Sequence, residues 1–387
     1  MSTTAVQDFR DTGPRLLRLD PLLLLATLGL VAASVYTVRR ATLGDIPGDP
    51  NYYMDRQLIY IGVGLVLMLA LSRFDYSRLR EWKLGVYGAM IAGILLVYAL
   101  GFSARGSRRA IEVGFFNFQA SELGKLLLAV ALAAFMVDRM RRLTDRETTS
   151  RIVLLGVVPA MLVIAQPDLG SGLVYLAILV SVLFVAGTPW THFAALGGLA
   201  VLAILATLVV APALGVEVLK PYQQDRLTAF LSPSSDPGAE GYQINQSLTA
   251  IGAGGKTGRG DEATQTRLDF LPEHHTDFIF SVVGEEFGFV GAALVLSLFA
   301  LLIWRALRVL TMSKNFYGAL VAGGITAMLM FQVFVNVGMT LGIMPITGIP
   351  LPLMSYGGSS VLTTLMAIGV LQSIHAQARE LAESKGL

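Results

Sequence analysis

The chain has 387 residues, of which 54% are apolar and only 14% charged, with a formal net charge of +2 and a mean hydropathy of +0.64. A soluble domain carries about a quarter charged residues, so a soluble enzyme with a membrane tail is excluded in favour of a polytopic membrane protein. Cysteine is absent, which removes disulfides and thiolate metal sites.

Residues 1–20 hold Arg10, Arg15 and Arg18 with no apolar core or small-residue cleavage site beside them. They read as a retained cytoplasmic tail, with the next apolar run acting as a signal anchor. A hydrocarbon core about 30 Å thick needs roughly 20 mostly apolar residues per helix. Ten segments qualify: 21–38, 57–72, 84–102, 122–137, 152–166, 169–187, 192–214, 278–304, 316–341 and 358–374. The second, fourth and fifth are short and are expected to extend into their flanks. The eighth contains Glu285 and Glu286 and is expected to begin with an interfacial turn.

An even count puts both termini on one side. With the N-terminus inside, the inner segments hold seventeen Lys and Arg and the short outer loops six, so the positive-inside rule gives N-in, C-in. The expected architecture is an all-α polytopic membrane protein of about ten transmembrane helices. Its parts are a tail at 1–20, spans 1–7 at 21–214, one long extracellular loop at 215–276, spans 8–10 at 277–375 and a tail at 376–387. Within the long loop, Tyr242–Ile251 has helix-like apolar spacing that suits a short amphipathic helix at the outer interface. Pro345, Pro350 and Pro352 break the pattern before the tenth span, which reads as a re-entrant outer loop at 342–357 lining a cavity.

Asp277 stands where the charged run Phe270–Thr276 meets the eighth span. A carboxylate there is costly without a task or partner. It is either a general base or ion ligand facing a cavity, or a helix N-cap. Glu122 and Lys125, three apart at the start of the fourth span, share a helix face. Either Lys125 meets an anionic substrate group with Glu122 tuning it, or the pair is a structural staple. Asp168, in Gln166-Pro167-Asp168-Leu169-Gly170, reads first as a turn residue holding its own backbone. Arg56, Arg105, Arg108 and Arg109 are outer-face arginines whose forks suit phosphate oxygens, against the commoner fate of snorkelling to headgroups.

Gly252–Gly260 (GAGGKTGRG) resembles a phosphate-binding loop but lacks the required first glycine, because Ala250 is there. It is either a flexible basic loop or a set of amides that, with Lys256 and Arg259, cradle phosphate. His274 and His275 are adjacent and have no spaced partner, so no metal site is assigned.

Taken in order, RQLIYIGVG (56–64), GFFNFQASELGKL (114–126), QPDLGSG (166–172), YQQDRLTAFLSP (222–233), GYQINQSLTAIGAGG (241–255), FLPEHHTDFIFSVVGEEFGFVG (270–291) and GIMPITGIPLPLMSYGGSS (342–360) resemble the SEDS family of shape, elongation, division and sporulation proteins. The YQQDRL run and Thr264-Gln265 are nearer its elongation member than its division member. The resemblance departs at Arg109-Ala110, where the family has Arg-Trp, and at Gln119-Ala120-Ser121-Glu122, where it has Gln-Pro-Ser-Glu.

The resemblance implies a peptidoglycan glycosyltransferase that polymerises lipid II on the outer face of the bacterial cytoplasmic membrane. Its implied partner is a class B penicillin-binding protein supplying the transpeptidase; membrane lipids surround it and nucleic acid plays no part. By motif, Asp277 corresponds to the catalytic aspartate, and Glu122, Lys125, Asp168 and Arg56 to family positions. Arg109 and Lys256 are added as substrate-binding candidates. No cofactor is assigned, and a divalent cation such as Mg²⁺ is left open as a source of positive charge. A lipid flippase and a scaffold that only recruits the partner are the rival readings.

Overall fold

The structure, a computed structural model, describes residues 18–100, 102–104, 107–113, 116–142, 144–213, 240–268 and 270–384. The N-terminal seventeen residues, Arg105 and residues 214–239 with the YQQDRL run lie outside the described residues, as do the side chains of Arg108 and Arg109.

Among the described residues, nine helices are long and apolar enough to cross a membrane, and a tenth, of 17 residues, is nearly so. They are α1 Pro21–Ala41, α2 Tyr52–Arg73, α3 Lys83–Leu100, α4 Ala120–Val137, α5 Arg146–Ala165, α6 Leu169–Val185, α7 Trp190–Leu205, α9 Ile279–Met312, α10 Phe316–Thr340 and α11 Gly358–Ser384. Helix α7 continues through a π-helical turn at Ala206–Val210 to Ala213. Helix α8, Glu240–Gly254, lies between α7 and α9 in the chain. The expected spans are all present, and the short second, fourth and fifth ones do extend into their flanks. Helices α4, α10 and α11 are enclosed on most sides, whereas α3 and α7 face outward.

The two ends of the chain meet. Asp20 caps α1, its Oδ1 accepting from the Leu22 and Leu23 amides at 3.1 Å each. Its Oδ2 accepts two N–H groups of Arg305 at 2.8 and 2.6 Å. The Gln372 amide accepts from the Asp20 N–H at 2.8 Å and donates to its carbonyl at 3.1 Å, and Arg18 pairs with Glu380 and Glu383. The start of α1 and the end of α11 therefore share one end of the bundle, as an even number of crossings requires.

Three features depart from the sequence expectations. First, residues 102–118 form a small antiparallel sheet of β1 Phe102–Ala104, β2 Ser107–Val113 and β3 Phe116–Phe118, with Ile111 opposite Phe118 and Val113 opposite Phe116. Second, α8 is helical as expected but packs on protein, with Ile244, Ser247 and Ala250 buried. The Ser247 hydroxyl donates to the Thr340 carbonyl at 2.7 Å and lies 2.6 Å from the Ser281 hydroxyl.

Third, the start of α9 is covered by protein: Ile279–Glu286 are all buried. The helix breaks at Gly288 (φ 64°, ψ −159°), a conformation natural to glycine alone. The freed amides of Phe289 and Val290 are taken up by the carbonyls of Gly255 and Lys256, at 2.9 and 3.1 Å. Gly258 sits so close to the Glu286 carbonyl that a Cβ there would collide with it. The glycine-rich loop is thus the docking partner of a helix kink. Buried Glu285 fastens it further, accepting from the Gln265 and Thr266 amides and the Thr266 hydroxyl at 2.8, 3.0 and 2.7 Å. Glu286 is held by Arg40 at 2.7–2.9 Å.

Candidate active site

At the end of the bundle opposite the chain termini, four parts of the chain enclose a cavity of ≈ 280 Å³. Helix α2 contributes Arg56 and Tyr60, and the β3–α4 junction contributes Asn117, Gln119 and Glu122. The segment before α9 supplies Thr276 and Asp277; the loop before α11, with the start of that helix, supplies Gly348, Tyr356, Ser359 and Ser360 among others.

Asp277 is half-buried, and the N-cap position of α9 falls one residue later, on Phe278, with no side-chain cap bond. The cap position that the sequence offered to Asp277 thus falls on its neighbour. The backbone of the aspartate's segment is held from several sides. The Asn336 side chain, fully buried inside α10, donates to the Asp277 carbonyl at 2.8 Å and to the Ile349 carbonyl at 2.8 Å. The Ser355 hydroxyl donates to the Thr276 carbonyl at 2.6 Å while accepting from the Leu351 amide at 2.8 Å. The Tyr356 amide donates to the His275 carbonyl at 2.9 Å. The 341–357 loop is thus sewn to the aspartate's segment, with Ile346, Ile349, Leu351 and Met354 buried, the setting in which non-helical backbone is tolerated at membrane depth.

Glu122 and Lys125 pair as their spacing implies, Nζ to Oε1 at 2.5 Å, exposed by only 3% and 1%. Only Glu122 lines the cavity. Of the two readings the sequence left open, the one in which Lys125 meets the substrate gains no support from this placement. The lysine lies behind the glutamate and compensates its buried charge.

Asp168 caps α6 through the Ser171 amide at 3.0 Å, the turn role expected of it. Its second oxygen also accepts from Gln119 Nε2 and Ser121 Oγ, both at 3.0 Å. It is not among the cavity residues but fixes one that is, Gln119. Arg56 lines the cavity with its guanidinium carbon 4.1 Å from the Tyr52 ring centre, a cation–π contact that orients it. Arg109 lies in β2 with its side chain outside the described residues. Lys256 is exposed on the loop docked at the α9 kink and is not a lining residue, so the phosphate-cradle reading of that loop finds no support in its placement.

The sequence reading passed over Tyr60, Tyr356, Asn117, Gln119, Ser359, Ser360 and Asn336. Two signals were present: a polar Ser355–Ser360 run opening an apolar helix, and an Asn in mid-span, since polar side chains within spans need internal partners. The two histidines also have a companion. Asp45 joins His274 and His275, with ligand-type atoms of all three within 4.8 Å of one another. Both ring nitrogens of His274 already face backbone carbonyls, of Leu271 at 2.9 Å and Ala41 at 3.1 Å. His275 packs 4.8 Å from Tyr53 and 5.8 Å from Tyr356 between ring centres, in the wall behind the cavity.

Fold and cavity together define a mostly helical multi-pass membrane protein with a carboxylate-bearing cavity at one end of its bundle. The family FTSW_RODA_SPOVE, described as cell cycle protein, matches residues 16–380. Stage V sporulation protein E of Bacillus subtilis (strain 168) is 36% identical over 96% of this chain and 99% of its own length. Peptidoglycan glycosyltransferase MrdB of Escherichia coli (strain K12) is 36% identical over 95% of this chain and 96% of its own. A chain of a peptidoglycan synthase complex, solved for its coordination of polymerization and crosslinking, superposes with a TM-score of 0.76 at 35% identity. That match covers 93% of this chain and 98% of the other. The chain belongs to the FtsW/RodA/SpoVE family, the SEDS proteins.

Proposed function

We propose that this peptidoglycan glycosyltransferase polymerises lipid II on the outer face of the bacterial cytoplasmic membrane, with Asp277 as the general base. The observation that carries the reading is that Asp277, Glu122 and Arg56, distant in sequence, open on one cavity. The excess of basic residues in the loops at the other end of the bundle supports placing this cavity outside.

The reaction joins the 4-hydroxyl of an acceptor sugar to the anomeric carbon of a donor, and a lipid pyrophosphate leaves. The hydroxyl must lose its proton to a base within hydrogen-bond reach as it attacks; Asp277 is that base. One base and a leaving group that needs no acid give inversion at the anomeric carbon. Arg56, oriented by Tyr52, faces the negative charge that develops on the pyrophosphate. Glu122 and Gln119, fixed by Lys125 and Asp168, orient the sugars by hydrogen bonds. The oxygen donors of Asp277, Glu122, Asn117 and Gln119 fit a hard divalent cation such as Mg²⁺, which would supply further positive charge toward the pyrophosphate when bound.

The match to a chain from a polymerizing and crosslinking complex supports a class B penicillin-binding protein as partner. A sporulation relative and MrdB match equally at 36%, so identity does not select the branch. The elongation role rests on the YQQDRL and Thr264-Gln265 runs.

The test is the purified protein with its partner and lipid II, comparing wild type with Asp277→Asn and Asp277→Ala. Glycan strands should form with wild type and be absent or slowed by about two to four orders of magnitude in both variants. Strands from Asp277→Ala at the wild-type rate would remove the general-base role. Movement of lipid II across liposomes without any strands would instead establish the flippase.

A further inference from the structure

A second, larger cavity of ≈ 580 Å³ lies between α5 and α7, within the range of about 300–1,000 Å³ in which ligand sites occur. It is far from the candidate active site. Its mouth is at the start of α5, whereas the end of that helix leads to Asp168 and the Gln119 it holds.

The lining changes character along the helix axes. Arg146, Thr149 and His192 stand at the mouth, and Leu154, Val157, Leu196 and Leu199 line the depth. Thr149 Oγ1 lies 2.8 Å from His192 Nδ1, tying the two helices at the mouth. At 1.5 Å per residue the lining runs about 16 Å along α5, from Arg146 to Val157, and about 12 Å along α7, from Thr191 to Leu199. Half of a hydrocarbon core is about 15 Å. The cleft is therefore one leaflet deep, polar where headgroups lie and apolar toward the midplane.

Two more observations concern its occupant. No residue of α7 is fully buried, and Phe193 and Leu196 pack against the core only partly buried, so much of its inward apolar face has no protein partner among the described residues. Water does not cover such a face within the hydrocarbon, whereas an acyl chain does. Charge selects the headgroup: residues 139–151 carry five arginines against two acids, and basic clusters at a membrane surface attract anionic lipids.

We propose that the α5–α7 cleft is the site of a resident anionic glycerophospholipid, drawn from the leaflet opposite the candidate active site. Its phosphate lies at Arg146 and the Thr149–His192 pair, and one acyl chain runs between Leu154, Val157, Leu196 and Leu199. The lipid acts as a wedge that sets the stand-off of α7 from the bundle.

The experiment is native mass spectrometry of the full chain in mild detergent, first as purified and then after delipidation and rebinding. Wild type should retain one phospholipid through purification. It should rebind dioleoylphosphatidylglycerol about fivefold more tightly than dioleoylphosphatidylcholine, the discrimination one basic residue gives near an anionic headgroup. Arg146→Gln should abolish that preference and Arg146→Lys keep it. Leu154→Trp combined with Leu196→Trp, which fills the acyl channel, should weaken both lipids alike. Equal binding of the two lipids to wild type, an unchanged preference in Arg146→Gln, undecaprenyl phosphate retained in place of phospholipid, or no retained lipid would each overturn the proposal. The readout is lipid occupancy, so it stands or falls apart from the polymerase reading.

Discussion

Asn336 donates from one side-chain nitrogen to the backbone carbonyls of both Asp277 and Ile349, each at 2.8 Å. A single buried amide on α10 thereby fixes the segment that carries the candidate base relative to the loop that roofs its cavity. Neither carbonyl lies in a regular element, so each depends on a partner of this kind. Leaving a buried acceptor unsatisfied costs about 1–3 kcal/mol.

Asn336→Leu should therefore lower thermal stability and reduce lipid II polymerisation together, by at least about tenfold in rate for a displacement near 1 Å. Asn336→Asp removes the amide donor while keeping the shape and should be similarly impaired. Strand synthesis measured beside unfolding temperature checks this; two fully active variants would show that the aspartate is placed by other contacts.

For the Glu122–Lys125 pair one single variant and the double variant separate charge compensation from substrate contact. Lys125→Met leaves Glu122 buried and uncompensated, a loss of about 3–5 kcal/mol. Glu122→Gln combined with Lys125→Met should recover much of that stability but not the activity, because Glu122 faces the cavity and Lys125 does not. If the double variant polymerises lipid II normally, the pair is a staple and nothing more.

Gly348 has φ +70° and an added Cβ would come 3.5 Å from Asp277 Oδ2. That contact is ordinary, so the penalty of Gly348→Ala is the left-handed backbone, about 1–2 kcal/mol. The loop should shift over the cavity, giving a fall in turnover with a smaller fall in melting temperature. Gly44→Ala is the control, since Gly44 lacks a positive φ, lies outside the cavity lining and leaves an added Cβ in open space.

Glu285 is fully buried and takes three hydrogen bonds from Gln265 and Thr266. Glu285→Ala orphans two amides and a hydroxyl, and should release the 255–268 segment from the α9 kink. Limited proteolysis checks it: cleavage within 255–268 should quicken strongly in the variant and stay slow in wild type.

Much of the fold was legible because the hydrocarbon layer imposes it. A run of about 20 apolar residues has few options in a membrane, and all ten such runs in this chain are helices. The sheet at 102–118 was not, since its pairing depends on turns and neighbours that a short, mixed run does not specify. The kink at Gly288 was missed for a related reason: its freed amides are satisfied by carbonyls some thirty residues earlier in the chain.

The sequence alone determined the membrane class, the ten apolar helices, the pairing of Glu122 with Lys125 three residues on, and the motif runs that place the chain near its family. These follow from local spacing and from the solvent. Only the tertiary structure decided which charges share a cavity. It brought Arg56, Glu122 and Asp277 together, placed Asp168 and Lys125 behind them as supports, and put Lys256 elsewhere against a helix kink. Helix periodicity sets which face a side chain occupies, but what that face meets depends on packing between segments more than two hundred residues apart in sequence. No single stretch carries that information.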